Sequence, residues 1–376
     1  MRLLHHFFAA CALSISVAVA LPAQSTSRPP VVALGAANAD SGEPFSRVSA
    51  VVELSGDRVL VADERDNRLV SIEFTAGAAR QLGRTGSGPG EYRLVSGLYA
   101  RPGGGAWLND FAQRRLLPIR SDGAFENPVP VPVSMTIRQV DERGVLYGEA
   151  FLPRERMQRA DSMWVVRWDP ATTTVDTLMK YDAGVTKWII PRGAPRPVNP
   201  PIDTWVALAN GDILVLEAER YRAVVYRDGR AVRSASIPWE PVPVTAAERE
   251  AFLRAASATP PRQLGQRGAP MRDSGPAPEY DFPEHYPPFG GKGGGGIYAY
   301  VAPTGHVWIE RLRASTDSIP RYDVLDASSL TVVGVVTMPP RSALVGFGRG
   351  TVYTVRRDAD DVEWLGRHPY PVLAGR

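Results

Sequence analysis

Apolar and polar positions alternate along much of the chain with the period of two that marks a β-strand with one buried face. The clearest example is residues 48–77, in which Val59 and Val61 share one face of a predicted strand. Gly56 and Asp57, just before that strand, form a hairpin turn signal. The pattern therefore predicts antiparallel strands that are joined by tight turns.

One unit recurs along the chain: an apolar strand, a glycine-containing turn, a second strand that often ends in a charged residue, and a polar turn with more strand. Three of the five intervals between the turn glycines are close to the ~40–45 residues of a four-stranded propeller blade. The interval that ends at Gly211 contains polar or proline-rich stretches near residues 153–162 and 183–201, and the interval that ends at Gly305 contains the main insertion, residues 245–296. The units predict an all-β, six-bladed β-propeller, with residues 24–376 as a single domain. The turn glycines are Gly56, Gly105, Gly144, Gly211, Gly305 and Gly350.

Closure of the ring needs one more strand, because the last unit is a strand short. The apolar segment 31–36 is a spare strand that precedes the first unit. We predict that this segment completes the last blade, because a closed ring hides sheet edges that would otherwise promote aggregation. The main insertion, residues 245–296, should begin with a helix, since Thr245 and Glu248 form a capping-box pattern.

The first residues have the pattern of a secretory signal peptide, which we assign to residues 1–23. Arg2 precedes an apolar run, and small residues follow it, so that cleavage is possible after Ala20 or Ala23. We therefore expect a periplasmic or secreted protein that does not span the membrane after cleavage. The single cysteine, Cys11, lies in this segment, which excludes disulfides and thiolate chemistry from the mature chain.

Charge and motifs exclude several classes of protein. The net charge of +3 is small for 376 residues, and no block of like charges occurs, so nucleic acid is not an expected partner. The glycine run around Lys292 lacks the Gly-Lys-Ser/Thr ending of a phosphate-binding loop. No Gly-x-Ser-x-Gly motif occurs, so a serine hydrolase is not supported.

Two adjoining segments carry a family resemblance. VLVADERDNRL, residues 59–69, resembles the strand, aspartate, short turn and return strand of NHL-repeat propellers. LGRTGSGPGEY, residues 82–92, resembles the glycine-rich crossing between blades in NHL-type and TolB-like six-bladed propellers. The resemblance implies the fold, whereas the scaffold hosts both binding proteins and enzymes. In later units Glu217, Arg311 and Arg356 stand where Asp63 stands in the first.

Acidic residues recur near the ends of equivalent strands. At tight turns such carboxylates normally accept backbone N–H groups, and we expect Arg68 to pair with one of them. Equivalent positions of a propeller also converge around one axis, where several carboxylates could hold Ca²⁺. A resemblance to calcium-dependent lactonase propellers implies the same ion. The candidate metal ligands are Asp63, Asp110, Glu149, Glu217 and Glu310.

Aromatic residues in and beside the two insertions predict a ligand or protein interface. The same rings could instead pin the loop to the propeller. Both insertions could project from one face and form a rim over the central channel. His306 and His368, like His285, lack the spacing of a metal site. The candidate ligand-binding residues are Tyr280, Phe282, His285, Tyr286, Phe289, Trp188 and Trp205.

Three functions remain open at this point. The repeat fold, the export signal, the missing catalytic motifs and the aromatic insertion favour a non-catalytic module that binds a protein or a small-molecule ligand. The alternative is a calcium-dependent, lactonase-like hydrolase with acidic residues at the channel. The third is a structural scaffold within an envelope complex.

Overall fold

The computed structural model describes residues 28–54, 57–131, 135–150, 162–172, 174–182, 193–258, 278–290 and 298–373. The predicted signal peptide, residues 1–23, and the turn glycine Gly56 lie outside these ranges. Within them, the regular structure is β-sheet apart from one α-helix, Ala246–Ala258, and one 3-10 turn, Phe111–Gln113. The all-β prediction is confirmed.

Six antiparallel sheets of consecutive strands follow one another along the chain, and each forms one blade. The first strand of every blade lines a common channel, which confirms the predicted six-bladed propeller. Blades one to three comprise Val48–Glu53, Arg58–Asp63, Arg68–Glu73 and Ala78–Gln81; Val95–Ala100, Ala106–Asp110, Arg115–Ile119 and Val129–Pro130; and Met135–Val140, Leu146–Ala150, Ser162–Asp169 and Thr174–Asp182. Blades four to six comprise Thr204–Ala207, Ile213–Glu217, Arg222–Arg227 and Arg230–Ser236; Ala299–Val301, His306–Glu310, Arg321–Asp326 and Thr331–Thr337; and Ser342–Gly348, Thr351–Arg357 and Glu363–Pro369 with Ala39–Asp40.

A strand from the N-terminal side closes the ring, but it is not the predicted segment. Ala39–Asp40 pairs antiparallel with the third strand of blade six and becomes its fourth strand. The segment 31–36 instead supplies Val31–Ala33, which pairs parallel with Val335–Thr337 at the outer edge of blade five. The predicted partner of 31–36 was wrong, because an apolar strand can extend either of two adjacent sheet edges.

A buried histidine fastens this N-terminal segment to blade six. The Nδ1 atom of His368 lies 2.8 Å from the carbonyl oxygen of Gly35, and Nε2 lies 2.9 Å from the hydroxyl of Thr354. Because a carbonyl only accepts, Nδ1 carries the proton, and Nε2 accepts from the threonine. Burial lowers the pKa of His368 below its ordinary value.

The hydrophobic core lies between successive blades, where six clusters of buried apolar side chains fill six interfaces of the described chain. The second strand of blade one shows why its sequence is nearly all apolar. Val59 and Val61 pack toward blade six, whereas Leu60 and Ala62 pack toward blade two. The period of two therefore selects which interface a side chain fills, because both faces of a blade are buried.

The insertion at 183–201 and the main insertion, 245–296, leave from the same end of the ring, since each connects the last strand of one blade to the first strand of the next. Their described parts also contact each other, because Arg196–Pro197 pairs parallel with Tyr280–Asp281. A second small ladder joins Val242–Pro243 to His285–Tyr286. A third, Arg84–Thr85 with Glu91–Tyr92, lies in the glycine-rich crossing between blades one and two.

The helix Ala246–Ala258 begins where the capping pattern predicts. The N–H of Glu248 donates to the hydroxyl of Thr245 at 3.3 Å. The carboxylate of Glu248 does not turn back to Thr245, but accepts from the backbone and hydroxyl of Ser315 at 2.8–2.9 Å. This contact fixes the insertion to blade five. Among the described residues, no helix is long and apolar enough to cross a membrane.

Candidate functional site

The first strands of the six blades surround a channel of about 2130 Å³. Each first strand starts where the second strand of its blade ends, as the pairing of Val48 with Asp63 shows. The second residue of the first strand is exposed to the channel in four blades, and three of these residues carry hydroxyls. One end of the channel, the end at which the insertions emerge, is therefore lined by small polar groups. The four residues at this position are Ser49, Ser96 and Thr136, which carry the hydroxyls, and Ala343.

A polar cluster forms the channel wall between blades three and four, and we call it the Arg138–Glu149 cluster. The Nη1 atom of Arg138 donates to Glu149 Oε1 at 2.6 Å, and Nη2 donates to the hydroxyl of Thr204 at 3.0 Å. Glu149 Oε1 also accepts from the Tyr181 hydroxyl and, at 3.0 Å, from Trp205 Nε1. The Arg138 guanidinium lies 5.2 Å from the centroid of the Trp205 ring.

The local backbone explains how Arg138 reaches Glu149. Ile137 pairs with Gly148 and Gln139 pairs with Tyr147, so Arg138 is the extra residue of a β-bulge. A bulge bends the strand and redirects the side chain of the extra residue. Gly148 permits this close approach, because a Cβ atom there would lie 2.3 Å from the carbonyl oxygen of Thr136.

The opposite charges of Arg138 and Glu149 balance each other in an ion pair, and both side chains keep groups that can form further hydrogen bonds. Burial, together with the negative charge of Glu149, raises the pKa of Tyr181, so its hydroxyl remains a donor at neutral pH. All three hydrogen bonds of the Glu149 carboxylate go to Oε1, and Oε2 has no hydrogen-bond partner within the described ranges. The Glu149 side chain is 18% exposed. Arg138, 17% exposed, has N–H groups beyond the two that are used. The cluster thus presents an acceptor beside donors.

The sequence repeats held a signal for Arg138 that reading acids and aromatic residues alone missed. Arg138 is the fourth residue of its first strand, where three other blades have Val51, Leu98 and Val345. A charged residue at a repeat position that is otherwise apolar is a departure that a closer alignment of the units reveals. Tyr181 gave no comparable signal, because its contact with Glu149 depends on the folded blade.

The predicted aromatic residues of the main insertion chiefly pack against the protein itself. Phe289 is fully buried and lies 5.9 Å from the Tyr221 ring, between centroids. Tyr286 is 2% exposed and donates its hydroxyl to Glu248, and burial with that carboxylate raises its pKa to about 12. Both side chains are closed to a ligand in this conformation. Phe252 of the helix makes edge-to-face contacts with two more predicted residues, Tyr280 at 5.1 Å and Phe282 at 5.5 Å.

The remaining predicted residues divide between the surface and the interior. His285 is exposed, and Trp188 lies outside the described residues. Trp205 is 2% exposed, and its indole N–H belongs to the Arg138–Glu149 cluster. Of the predicted ligand-binding residues that are described, it alone reaches that cluster. His306 and His368 are buried.

Asp63 and Asp110 lie in matching structural sites rather than at the axis. Asp63 is fully buried and accepts from the backbone N–H of Arg47 at 3.0 Å and from Arg68 Nη2 at 3.0 Å. Asp110 does the same in blade two, with Leu94 N at 3.1 Å and an arginine Nε at 3.1 Å. The expected roles as backbone acceptors, and the ion pair of Arg68, are confirmed.

The structure does not bring the five predicted metal ligands together. Each contacts a different arginine: Glu217 lies 2.8 Å from Arg222, and Glu310 lies 3.4 Å from Arg313. Of the five, only Glu149 lines the channel. Among the described residues, no three His, Cys, Asp or Glu side chains form a group that could hold a metal ion. The reason is that these acids lie at or next to the end of the second strand of their blades, one strand away from the first strands that line the channel.

The six sheets about one channel define a six-bladed β-propeller. No family model and no curated protein matches the chain. Solved structures match most of its length. A protein classed as a candidate exported protein of Bacteroides fragilis is 12% identical, covers 90% of this chain and 99% of its own, and has a TM-score of 0.47. A member of the DUF4221 family from Bacteroides vulgatus is 9% identical, with coverages of 87% and 94% and a TM-score of 0.47.

Regucalcin, a calcium-binding protein of Agrobacterium tumefaciens, is 9% identical, with coverages of 92% and 97% and a TM-score of 0.44. At these identities the likeness concerns the propeller fold and carries no argument about the site. The finer resemblance to NHL-repeat and TolB-like propellers therefore stays a prediction.

Proposed function

We propose that this protein is an exported β-propeller that binds a small-molecule ligand in its central channel without converting it. The observation that carries the proposal is the channel itself, about 2130 Å³ in volume, with hydroxyls at one end and the Arg138–Glu149 cluster in its wall. Ligand sites are typically concave, with a few polar groups that fix orientation. The channel has both properties.

Two alternatives receive less support. The calcium-dependent hydrolase needs several carboxylates around one ion, whereas the predicted acids are held by separate arginines. A protein interface on the main insertion needs exposed aromatic rings, whereas Tyr286 and Phe289 are buried. Neither arrangement favours these functions over a ligand in the channel.

Export is part of the proposal because of the signal-peptide pattern in residues 1–23. The first strand of the propeller begins only at Val31, so removal of residues 1–23 takes nothing from the described fold. We infer a periplasmic or secreted protein, with no nucleic-acid partner.

The test is a thermal-unfolding screen of the mature protein, from Gln24 onward, against a panel of sugars, amino acids, nucleosides, carboxylates and lactones. A ligand at about a hundred times its Kd adds roughly 2.7 kcal/mol, or about 4 °C for a domain of this size. A double variant, Thr136→Trp with Ala343→Trp, narrows the channel from blades three and six. The matched control, Val31→Trp with Val232→Trp, adds the same side chains at positions that are 70% and 47% exposed.

We expect at least one compound to raise the melting temperature of the wild type and the control, but not that of the channel variant. Equal shifts in all three proteins would place the ligand outside the channel and contradict the proposal. Turnover of any lactone in the panel would contradict the non-catalytic part of the proposal and favour the hydrolase.

A further inference from the structure

We infer that the Arg138–Glu149 cluster recognises an uncharged, hydroxyl-rich ligand, that is, a sugar or another polyol. The inference rests on the proposed function and names the class of ligand for the same channel. It follows from three features of the cluster: its unused hydrogen-bonding groups, its balanced charge, and the side chains beside it.

The unused groups require a ligand that both donates and accepts. Glu149 Oε2 can only accept, and the remaining N–H groups of Arg138 can only donate. These groups are close together, because Arg138 Nη1 and Glu149 Oε1 are 2.6 Å apart. A hydroxyl donates and accepts through one oxygen, so two neighbouring hydroxyls satisfy both partners. The paired side chains are also held in place, since Thr204, Tyr181 and Trp205 fix their orientation.

The charge balance favours an uncharged ligand. An anionic ligand on Arg138 would meet the negative charge of Glu149, whose Oε1 atom also accepts from the Tyr181 hydroxyl and the Trp205 N–H. A cationic ligand on Glu149 would meet the guanidinium of Arg138 in the same way. Like charges at this distance are costly in a partly buried site. A neutral polyol avoids both penalties.

The neighbouring channel wall supplies further groups suited to a sugar. Thr136 places a hydroxyl two residues before Arg138 in the same strand, and it is exposed to the channel. Tyr99 of blade two, a half-buried residue in the channel lining, donates a hydrogen bond from its hydroxyl to the carbonyl oxygen of Ile137 at 2.7 Å, next to Arg138. Gly97 leaves room for the Tyr99 side chain, because a Cβ atom there would lie 2.7 Å from the Tyr99 hydroxyl.

The experiment is isothermal titration calorimetry of the mature protein with glucose, galactose, mannose, xylose, and gluco-, manno- and xylo-oligosaccharides, each to about 10 mM. The test variants are Glu149→Gln and Arg138→Met. The matched controls are Glu217→Gln and Arg222→Met, which break an equivalent ion pair that does not line the channel. Melting curves check that every variant is folded. If a cluster variant does not fold, Thr136→Asn tests the same wall without touching the ion pair.

We expect one or more of these carbohydrates to bind, and each cluster variant to lose about tenfold or more in affinity, as for a lost hydrogen bond to a charged group. The controls should bind like the wild type. Binding that survives in the cluster variants would overturn the inference, and so would a lack of binding by every carbohydrate. In that last case, a non-carbohydrate ligand that is sensitive to Thr136→Trp with Ala343→Trp would leave the proposed function standing, so the two failures are distinguishable.

Discussion

Removal of the buried carboxylate of Asp110 should destabilise the propeller, because its partners remain buried without it. Asp110 is fully buried and accepts from Leu94 N at 3.1 Å, Gln113 Nε2 at 2.7 Å and Arg115 Nε at 3.1 Å. In Asp110→Ala the guanidinium of Arg115, only 14% exposed, loses its counter-ion. Breaking a buried ion pair on one side costs about 3–5 kcal/mol. We expect a fall in melting temperature of about 5 °C for a domain of this size.

The assay is thermal and urea unfolding of the mature protein, followed by circular dichroism. The matched control is Glu217→Ala, because Glu217 ends the equivalent strand of blade four and pairs with Arg222 at 2.8 Å. That pair is more exposed, at 21% and 37%, and exposed pairs contribute little. Asp110→Ala should therefore lose clearly more stability than the control. Equal losses would refute the assignment of the difference to burial.

The same unfolding curves separate a structural acid from a metal ligand. A calcium ion at about a hundred times its Kd would add roughly 2.7 kcal/mol, which a chelator would remove. Since Asp110 is already saturated by arginine and backbone donors, we expect Ca²⁺ and chelator to give the same curve for the wild type. A chelator-dependent loss in the wild type that disappears in Asp110→Ala would refute this reasoning and restore the calcium site.

Three further predictions concern single contacts. Burial lowers the pKa of His368, so the unfolded state binds this proton first as the pH falls, and the free energy of unfolding should decrease below about pH 6.5. In His368→Gln, the free energy of unfolding measured by urea should depend less on pH between about pH 7.5 and 5, and an unchanged pH dependence would contradict the assignment. Glu248→Gln should weaken the anchor to Ser315 and speed limited proteolysis in the main insertion, with little change in the melting temperature of the ring. Gly148→Ala should cost about 1–3 kcal/mol in urea unfolding, because its Cβ would lie 2.3 Å from the carbonyl of Thr136; wild-type stability would show that the bulge needs no glycine.

The repeats predicted the number of blades because a blade is a local unit, whose strands follow each other and whose turns need glycine. Gly105, Gly144 and Gly211 all have positive φ values, of 104°, 89° and 88°, which favour glycine. Closure was harder, since the pairing of segment 31–36 depends on two sheet edges that are close only in the folded ring. Apolar character alone does not choose between them.

The candidate site was predictable only in part. Glu149 was found from its strand-end position, and Trp205 from its type, but neither pattern showed that they meet. Their contact joins blades three and four, and a bulge in the first strand of blade three carries Arg138, which pairs with the same carboxylate. Acids such as Asp63 share the same sequence position, but their carboxylates are buried within the blade instead of lining the channel, because an arginine five residues later begins the next strand and pairs with them. The partner, rather than the acid, determines the direction of the side chain.

The central claim is that the ligand occupies the channel beside Arg138 and Glu149. The most direct test is a crystal structure of the mature protein with the tightest-binding compound from the screens. The account predicts ligand density inside the channel, with hydrogen bonds to Arg138 and Glu149 Oε2. Density confined to the insertion, against Tyr280 and Phe282, or to the outer strands of the blades, would contradict it.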